Sequence, residues 1–204
     1  WGDPSGPAVW KDLDDLLSQT FRHSRQCPDM SIRAAAIDTG GHHTLQAYAF
    51  CRTRQEKRVW AIKGRGGMGM PIWPRRSSRN NKGRIPLFIV GVDTAKESVY
   101  ARLRLKEPGP GYCHFPMDRD AEWFDQLTAE KVSTRYRKGR PYREWLKNSH
   151  ERNEALDCRV YAAAALHGLI TMGFKLNREA DLIGAYPLRT EAPIIAKKEE
   201  TTRQ

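Results

Sequence analysis

Apolar and polar positions alternate in blocks along the chain, and each block predicts an element. Behind an opening that carries Gly2, Pro4, Gly6 and Pro7, the stretch from Val9 to Leu17 sets Val9, Trp10, Leu13, Leu16 and Leu17 at helical spacing, which reads as a linker followed by a packing helix. Three short strands are expected next, at about 32–38, 44–52 and 58–63. Their tight connections suggest an antiparallel meander, with Gly40-Gly41 supplying the backbone freedom for a hairpin. The continuous apolar run from Ile85 to Val92 is the strongest signal of a buried strand. A helix over 94–105 follows, stopped by Pro108-Gly109-Pro110-Gly111.

Further on, 112–115 reads as a short strand and Asp120–Leu127 as a short helix with Trp123, Phe124 and Leu127 inward. From Lys131 to Lys147 basic and aromatic residues interleave around Gly139 in the manner of a hairpin. The clearest helix spans 153–170, rich in alanine and apolar on most faces, so it should pack directly on a sheet. Beyond Gly173 the chain turns polar, and 187–204 has no periodicity. The expected organisation is a linker and packing helix over 1–30, one α/β core over 31–175, and a flexible tail over 176–204.

Three acids stand at the ends of these core elements: Asp38 after the first strand, Asp93 after the most buried strand and Asp157 in the first turn of the best helix, a turn that also carries Glu154. Each has a purely structural role open to it. Asp38 can bond its own turn, Asp93 can cap the helix that follows, and Glu154 and Asp157 can complement a helix dipole. Jointly they build a negative site suited to holding Mg²⁺ or Mn²⁺ against a phosphodiester, and two such ions can activate water and stabilise the leaving oxygen.

Charge sharpens that picture. The chain has 204 residues and a formal net charge of +11, the footprint of a nucleic-acid partner, with an acidic membrane surface as the weaker alternative. A basic loop from Gly64 to Arg84 carries Arg65, Arg75, Arg76, Arg79, Lys82 and Arg84 without one acidic residue, and Trp73 within it either stacks on a base or caps the core. Arg135, Arg137, Lys138 and Arg140 make the second basic stretch, suited to tracking phosphates or to guarding a solvated edge. His42 and His43, just after the first acid, and Lys63, at the end of the third strand, are candidate auxiliaries for orienting water or neutralising phosphate. Cys27, Cys51, Cys113 and Cys158 are scattered without metal-ligand spacing and read as free thiols in a reducing compartment. No apolar run approaches the roughly 20 residues needed to cross a bilayer and no signal peptide is visible, so a soluble, cytosolic protein is expected. The start at Trp1 rather than Met suggests a fragment or processed piece.

The order strand–Asp, strands, strand–Asp, late helix–Asp resembles the ribonuclease-H-like nuclease fold, an α/β architecture with a mixed central sheet flanked by helices. More closely, the blocks at 36–44, 47–52, 59–64, 90–96, 109–116, 126–130 and 153–162 resemble, in order, the C-terminal nuclease domain of the large terminase subunit of lambda-like tailed bacteriophages. That resemblance implies a metal-dependent endonuclease that cuts concatemeric viral DNA during packaging in the host cell cytoplasm. It implies an acidic triad matching Asp38, Asp93 and Asp157, with Glu154 as the nearest rival ligand and two Mg²⁺ or Mn²⁺ ions as cofactors. It also implies double-stranded DNA, a small terminase subunit, a portal and an N-terminal packaging ATPase domain of the same full-length protein as partners. No G-x-x-x-x-G-K-[ST] motif occurs in the chain, so ATP hydrolysis by that route is not expected of it. A resolvase- or integrase-type nuclease of the same fold, and a non-catalytic module that grips DNA, are the alternatives.

Overall fold

Strands at Ala35–Asp38 (β3), Val59–Arg65 (β4) and Leu87–Gly91 (β5) lie side by side in the order β3-β4-β5, and both pairings are parallel. The computed structural model describes residues 2–79, 81 and 83–189. Trp1, Lys82 and the part of the expected tail at 190–204 lie outside the described residues.

The α/β class expected from the sequence is what forms, a parallel three-stranded sheet flanked by helices and compatible with a ribonuclease-H-like arrangement. The antiparallel meander is not. Residues Thr44–Arg52, expected as its middle strand, form helix α2. A parallel pair needs a crossover connection, and α2 is that crossover between β3 and β4. Gly40-Gly41 accordingly opens a strand-to-helix turn rather than a hairpin, with Gly41 at φ 104°.

Alternation along β4 divides the core into two layers. Val59 and Ala61 face α2, packing with Tyr48, Phe50 and Cys51 beneath helix α1 (Ala8–Leu17), which adds Trp10, Leu13 and Leu17. Trp60 and Ile62 face the long helix α5 (Glu154–Thr171), where they meet Ala164, Ala165 and Leu169. Trp73 belongs to this layer: it is buried and stacks on Phe88 at 4.5 Å between centroids, so within the basic loop it is a core residue. Gly168 of α5 is the point of closest approach, because a Cβ there would lie 2.9 Å from ring atoms of both Trp60 and Trp73. Gly168→Ala should therefore lower stability by about 1–3 kcal/mol, the usual cost of overpacking a filled core. Urea denaturation measures it, and an unchanged midpoint would show that the two rings yield freely.

Helices α3 (Val92–Leu103) and α4 (Ala121–Leu127) pack with the first half of α5 through Val99, Leu127, Leu156 and Val160. Asp120 caps α4 by accepting the Trp123 N–H at 2.9 Å. Leu127 is buried as expected, whereas Phe124 is exposed. The strand expected at 112–115 is instead irregular chain, with Cys113 buried beside the Arg159 guanidinium. Strands β6 (Lys131–Arg137) and β7 (Arg140–Leu146) make the expected basic hairpin, turning at Lys138-Gly139 with both residues at positive φ. Part of the stretch read as tail, Leu176–Gly184, forms helix α6. After it, Leu188 bridges Arg25 and the Arg189 N–H reaches the Ser24 carbonyl, near the small pair β1 (Thr20–Phe21) and β2 (Met30–Ser31). All four cysteines are free, and no helix among the described residues is long and apolar enough to cross a membrane.

Candidate active site

The carboxyl ends of parallel strands are where open α/β sheets present ligands, and Asp38 is the last residue of β3. Its place is fixed by the residue that follows. Thr39 is buried, and its backbone N–H and its hydroxyl both donate to the Ile62 carbonyl of β4 at 2.9 Å. The Asp38 Oδ1 accepts the Gly40 N–H at 2.9 Å, the turn-forming bond open to an aspartate there. Its Oδ2 accepts the Tyr161 hydroxyl of α5 at 3.2 Å. Burial, then the nearby charges of Asp38 and Asp157, hold the Tyr161 phenol well above its ordinary range, so it stays a proton donor.

One turn before Tyr161 on the same helix stands Asp157, half-buried. The edge of β3 and α5 enclose a groove of about 730 Å³ whose lining includes Asp38, Glu154, Asp157 and Tyr161. Away from these acids the groove is lined mainly by apolar side chains, among them Ala34, Ala36, Ala165, Leu169 and Phe174, with Arg33 as a cationic side chain on the same lining. Burial raises the Asp157 carboxyl above its ordinary range. Lys96 opposes this, and the carboxylates of Glu130, Asp38 and Glu154 add to it. Negative charge is thus in local excess within a basic protein. Glu154 at the rim is exposed, and its own backbone N–H, then Arg152, keep its carboxyl low.

Asp93 is placed differently. It sits in the first turn of α3, whose N-cap is Gly91, so it does not take the capping role open to it as the structural alternative. Its carboxylate accepts the Gly67 N–H at 2.7 Å and so fastens the start of the basic loop. It does not line the groove that Asp38 and Asp157 share. Lys63 follows Val59 and Ala61 on the α2 side of β4, away from Tyr161. His42 is exposed and His43 takes the N-cap position of α2, without lining that groove. Arg65, Arg75, Arg76, Arg79 and Arg84 are exposed along β4's end and the loop, as are Arg135, Arg137, Lys138 and Arg140 on the hairpin.

Two carboxylates with further acids nearby form an all-oxygen donor set that fits a hard divalent cation, since Mg²⁺ commonly binds through one or two carboxylates and completes its shell with water and phosphate. Among the described residues no group of three or more His, Cys, Asp or Glu has the arrangement to hold an ion. The fit is that of a half-built site which substrate and water would complete.

Behind Asp157 lies a buried set of side chains that the sequence reading did not single out. Lys96 of α3 and Glu130 form an ion pair, Nζ to the two carboxylate oxygens at 2.9 and 2.7 Å, with both side chains buried. Asn153 Nδ2 donates to Glu130 Oε1 at 2.8 Å and to Asp157 Oδ2 at 3.3 Å. Burial of a charge is invisible in a sequence. The available signal was that Lys96, Glu130, Asn153 and Tyr161 all fall inside the blocks that carry the family resemblance.

Residues 1–179 match the model of a family described as terminase large subunit gpA, endonuclease domain. Over 163 residues the chain is 38% identical to the terminase large subunit of Escherichia phage lambda, covering 76% of this chain and 25% of that protein. Over 176 residues it is 34% identical to the terminase large subunit of Enterobacteria phage P21, covering 81% of this chain and 26% of that one. The chain thus spans about a quarter of the length of these relatives. No solved structure gives a significant match.

Proposed function

The chain belongs to the endonuclease-domain family of the terminase large subunit gpA, and from that premise we propose that it cuts concatemeric viral DNA during genome packaging. The observation that supports this most is the convergence of Asp38 and Asp157 at the carboxyl end of the sheet in a chain of net charge +11. Asp38 and Asp157 would hold Mg²⁺ or Mn²⁺, and a second ion would draw on Glu154. Bound there, such ions would offset the charge of the scissile phosphodiester and favour attack by water.

The chain's own groups have definite parts in this reading. The Tyr161 hydroxyl and the Gly40 N–H each hold one oxygen of the Asp38 carboxylate, which restrains it within the groove it shares with Asp157. Asp38 and Glu154 lie open to solvent at the acidic end of the groove while Asp157 is half-buried, so substrate and water can reach all three. In this reading Asp93 fastens the basic loop through the Gly67 N–H and stands outside the groove that Asp38 and Asp157 share.

Duplex DNA is gripped by the basic loop and by the hairpin. Glu144 pairs with Arg135 at 3.0 Å and Glu97 with Arg143 at 3.0 Å, which stiffens the base of the hairpin, while Arg137, Lys138 and Arg140 crowd its turn. Replacing those three by alanine should weaken duplex binding, and the slope of log affinity against log salt should fall by about 0.9 for each phosphate that is no longer neutralised. Fluorescence anisotropy across a salt series reads it. A slope equal to the parent's would remove the hairpin from the interface. The partners proposed with this reading are the packaging ATPase part of the same full-length protein, a small terminase subunit and a portal, in the host cytoplasm.

The test is incubation of duplex DNA with the chain in Mg²⁺, in Mn²⁺ and in EDTA. Cutting that requires a divalent ion is expected. Intact DNA in all three, with no ion uptake by calorimetry, would overturn the reading in favour of a module that only grips DNA.

A further inference from the structure

Asn153 occupies the N-cap position of α5, the place where an asparagine ordinarily turns its side chain onto the helix's first N–H groups, and it makes no such bond. Its amide nitrogen reaches two carboxylates instead, Glu130 at 2.8 Å and Asp157 at 3.3 Å. An amide –NH₂ has two hydrogens to give, and both acceptors are carboxylates, so only the nitrogen can face them. Asn153 therefore fills a position between Glu130 and Asp157 that an acceptor could not.

Glu130 is in turn clamped from three sides. Both its carboxylate oxygens receive the Lys96 ammonium, its backbone carbonyl accepts the Tyr100 hydroxyl at 2.6 Å, and Asn153 takes one of the same carboxylate oxygens. A buried ion pair of this kind contributes little net stability compared with apolar side chains of the same volume, because desolvating both charges offsets their attraction. What an apolar pair could not do is hold an amide donor in a fixed orientation. The chain of contacts leads from α3 through Glu130 to Asn153 and ends on Asp157, a residue of the proposed catalytic pair.

We infer that Asn153 is a positioning residue: anchored by the buried Lys96–Glu130 pair, it sets the orientation of the Asp157 carboxylate toward Asp38. This rests on the proposed nuclease activity. Lys96 and Glu130 act one residue further away, as the anchor that keeps the amide from rotating into the capping role open to it.

Asn153→Ser separates this role from a structural one. Serine is as good an N-cap as asparagine, yet its short hydroxyl cannot span two carboxylates. The variant should keep the parent's thermal midpoint and its KM for duplex DNA. It should lose about tenfold or more in Mn²⁺ affinity by calorimetry and a similar factor in kcat, the range seen when a group that orients a ligand is removed. Asn153→Asp, which has the same shape but sets an acceptor against two acceptors, should lose kcat at least as severely. Parent-like Mn²⁺ affinity in Asn153→Ser would overturn the positioning role while leaving the nuclease reading intact. A fall in melting point and DNA affinity together with kcat would overturn it too, since that is what a merely structural residue gives. A parent chain that neither takes up Mn²⁺ nor cuts DNA would overturn both readings. If the parent binds Mn²⁺ without cutting, the affinity ratio decides alone.

Discussion

Asp157→Asn is expected to abolish DNA cutting, by about a thousandfold or more, the scale on which losing one member of a cooperating catalytic set acts. It should do so without loss of stability at neutral pH. The Asp157 carboxyl is raised first by burial and then by the charges of Glu130, Asp38 and Glu154, against the opposing pull of Lys96, so its ionised form is less at ease in the folded protein than in the unfolded chain. A raised acid contributes stability that is fully present below its unfolded value and is lost as pH rises through its folded one. Relative to the parent, the variant should therefore gain nothing below the ordinary aspartate value of 3.8, and its advantage should grow as pH climbs from there through the raised value and be complete above it. Thermal melts of both proteins at about pH 3 and about pH 7.5 measure this. A variant that is less stable than the parent at the higher pH would mean that the carboxylate is a structural cap. Stability is given up at this position for a charge that the chemistry uses.

Lys96→Met is expected to be among the most destabilising single substitutions in the chain. It strands the Glu130 carboxylate in the core without its ammonium partner, and breaking a buried pair from one side costs about 3–5 kcal/mol. Replacing both partners, Lys96→Met with Glu130→Leu, should recover most of that loss, because two apolar side chains need no counter-charge. Cutting should not recover with it, since Asn153 loses the carboxylate that anchors its amide. Urea denaturation and a cleavage assay on the two proteins read the two effects apart. A single variant within about 1 kcal/mol of the parent would show that the pair is wetter than its burial implies.

Much of the fold could be read from periodicity where a segment is long and meets one environment. The apolar run from Ile85 to Val92 contains the strand β5, Leu87–Gly91, the alanine-rich stretch became α5, and the basic hairpin turned at Gly139. The misreading at Thr44–Arg52 has a definite cause. Leu45, Ala47, Ala49 and Cys51 imitate the alternation of a strand, but the residues that are buried are Ala47, Tyr48, Phe50 and Cys51, at helical spacing, while Leu45 is exposed. Once that segment is a helix, β3 and β4 are parallel and their carboxyl ends lie together, which is what places Asp38 opposite the first turns of α5.

The candidate site was legible in its acids and not in their supports. Asp38 and Asp157, which the fold brings to one groove, could be singled out because acids ending core elements stand out. Asp93 stood out for the same reason, yet its carboxylate is engaged by a loop N–H, an interaction that depends on the path of residues 66–70 and leaves no mark in local pattern. The Lys96–Glu130–Asn153 set depends on α3, α4 and α5 meeting, so it exists only in three dimensions.

The most direct measurement is the rate at which supercoiled plasmid is nicked in Mn²⁺ by the parent chain and by Asp38→Asn, Asp157→Asn and Asp93→Asn, each with an EDTA control. Nicking by the parent that EDTA stops, lost in the first two variants and kept within about tenfold in the third, is the predicted result. Parent-like nicking by Asp38→Asn or Asp157→Asn, or its complete loss in Asp93→Asn with the other two unaffected, would contradict a site built on Asp38 and Asp157.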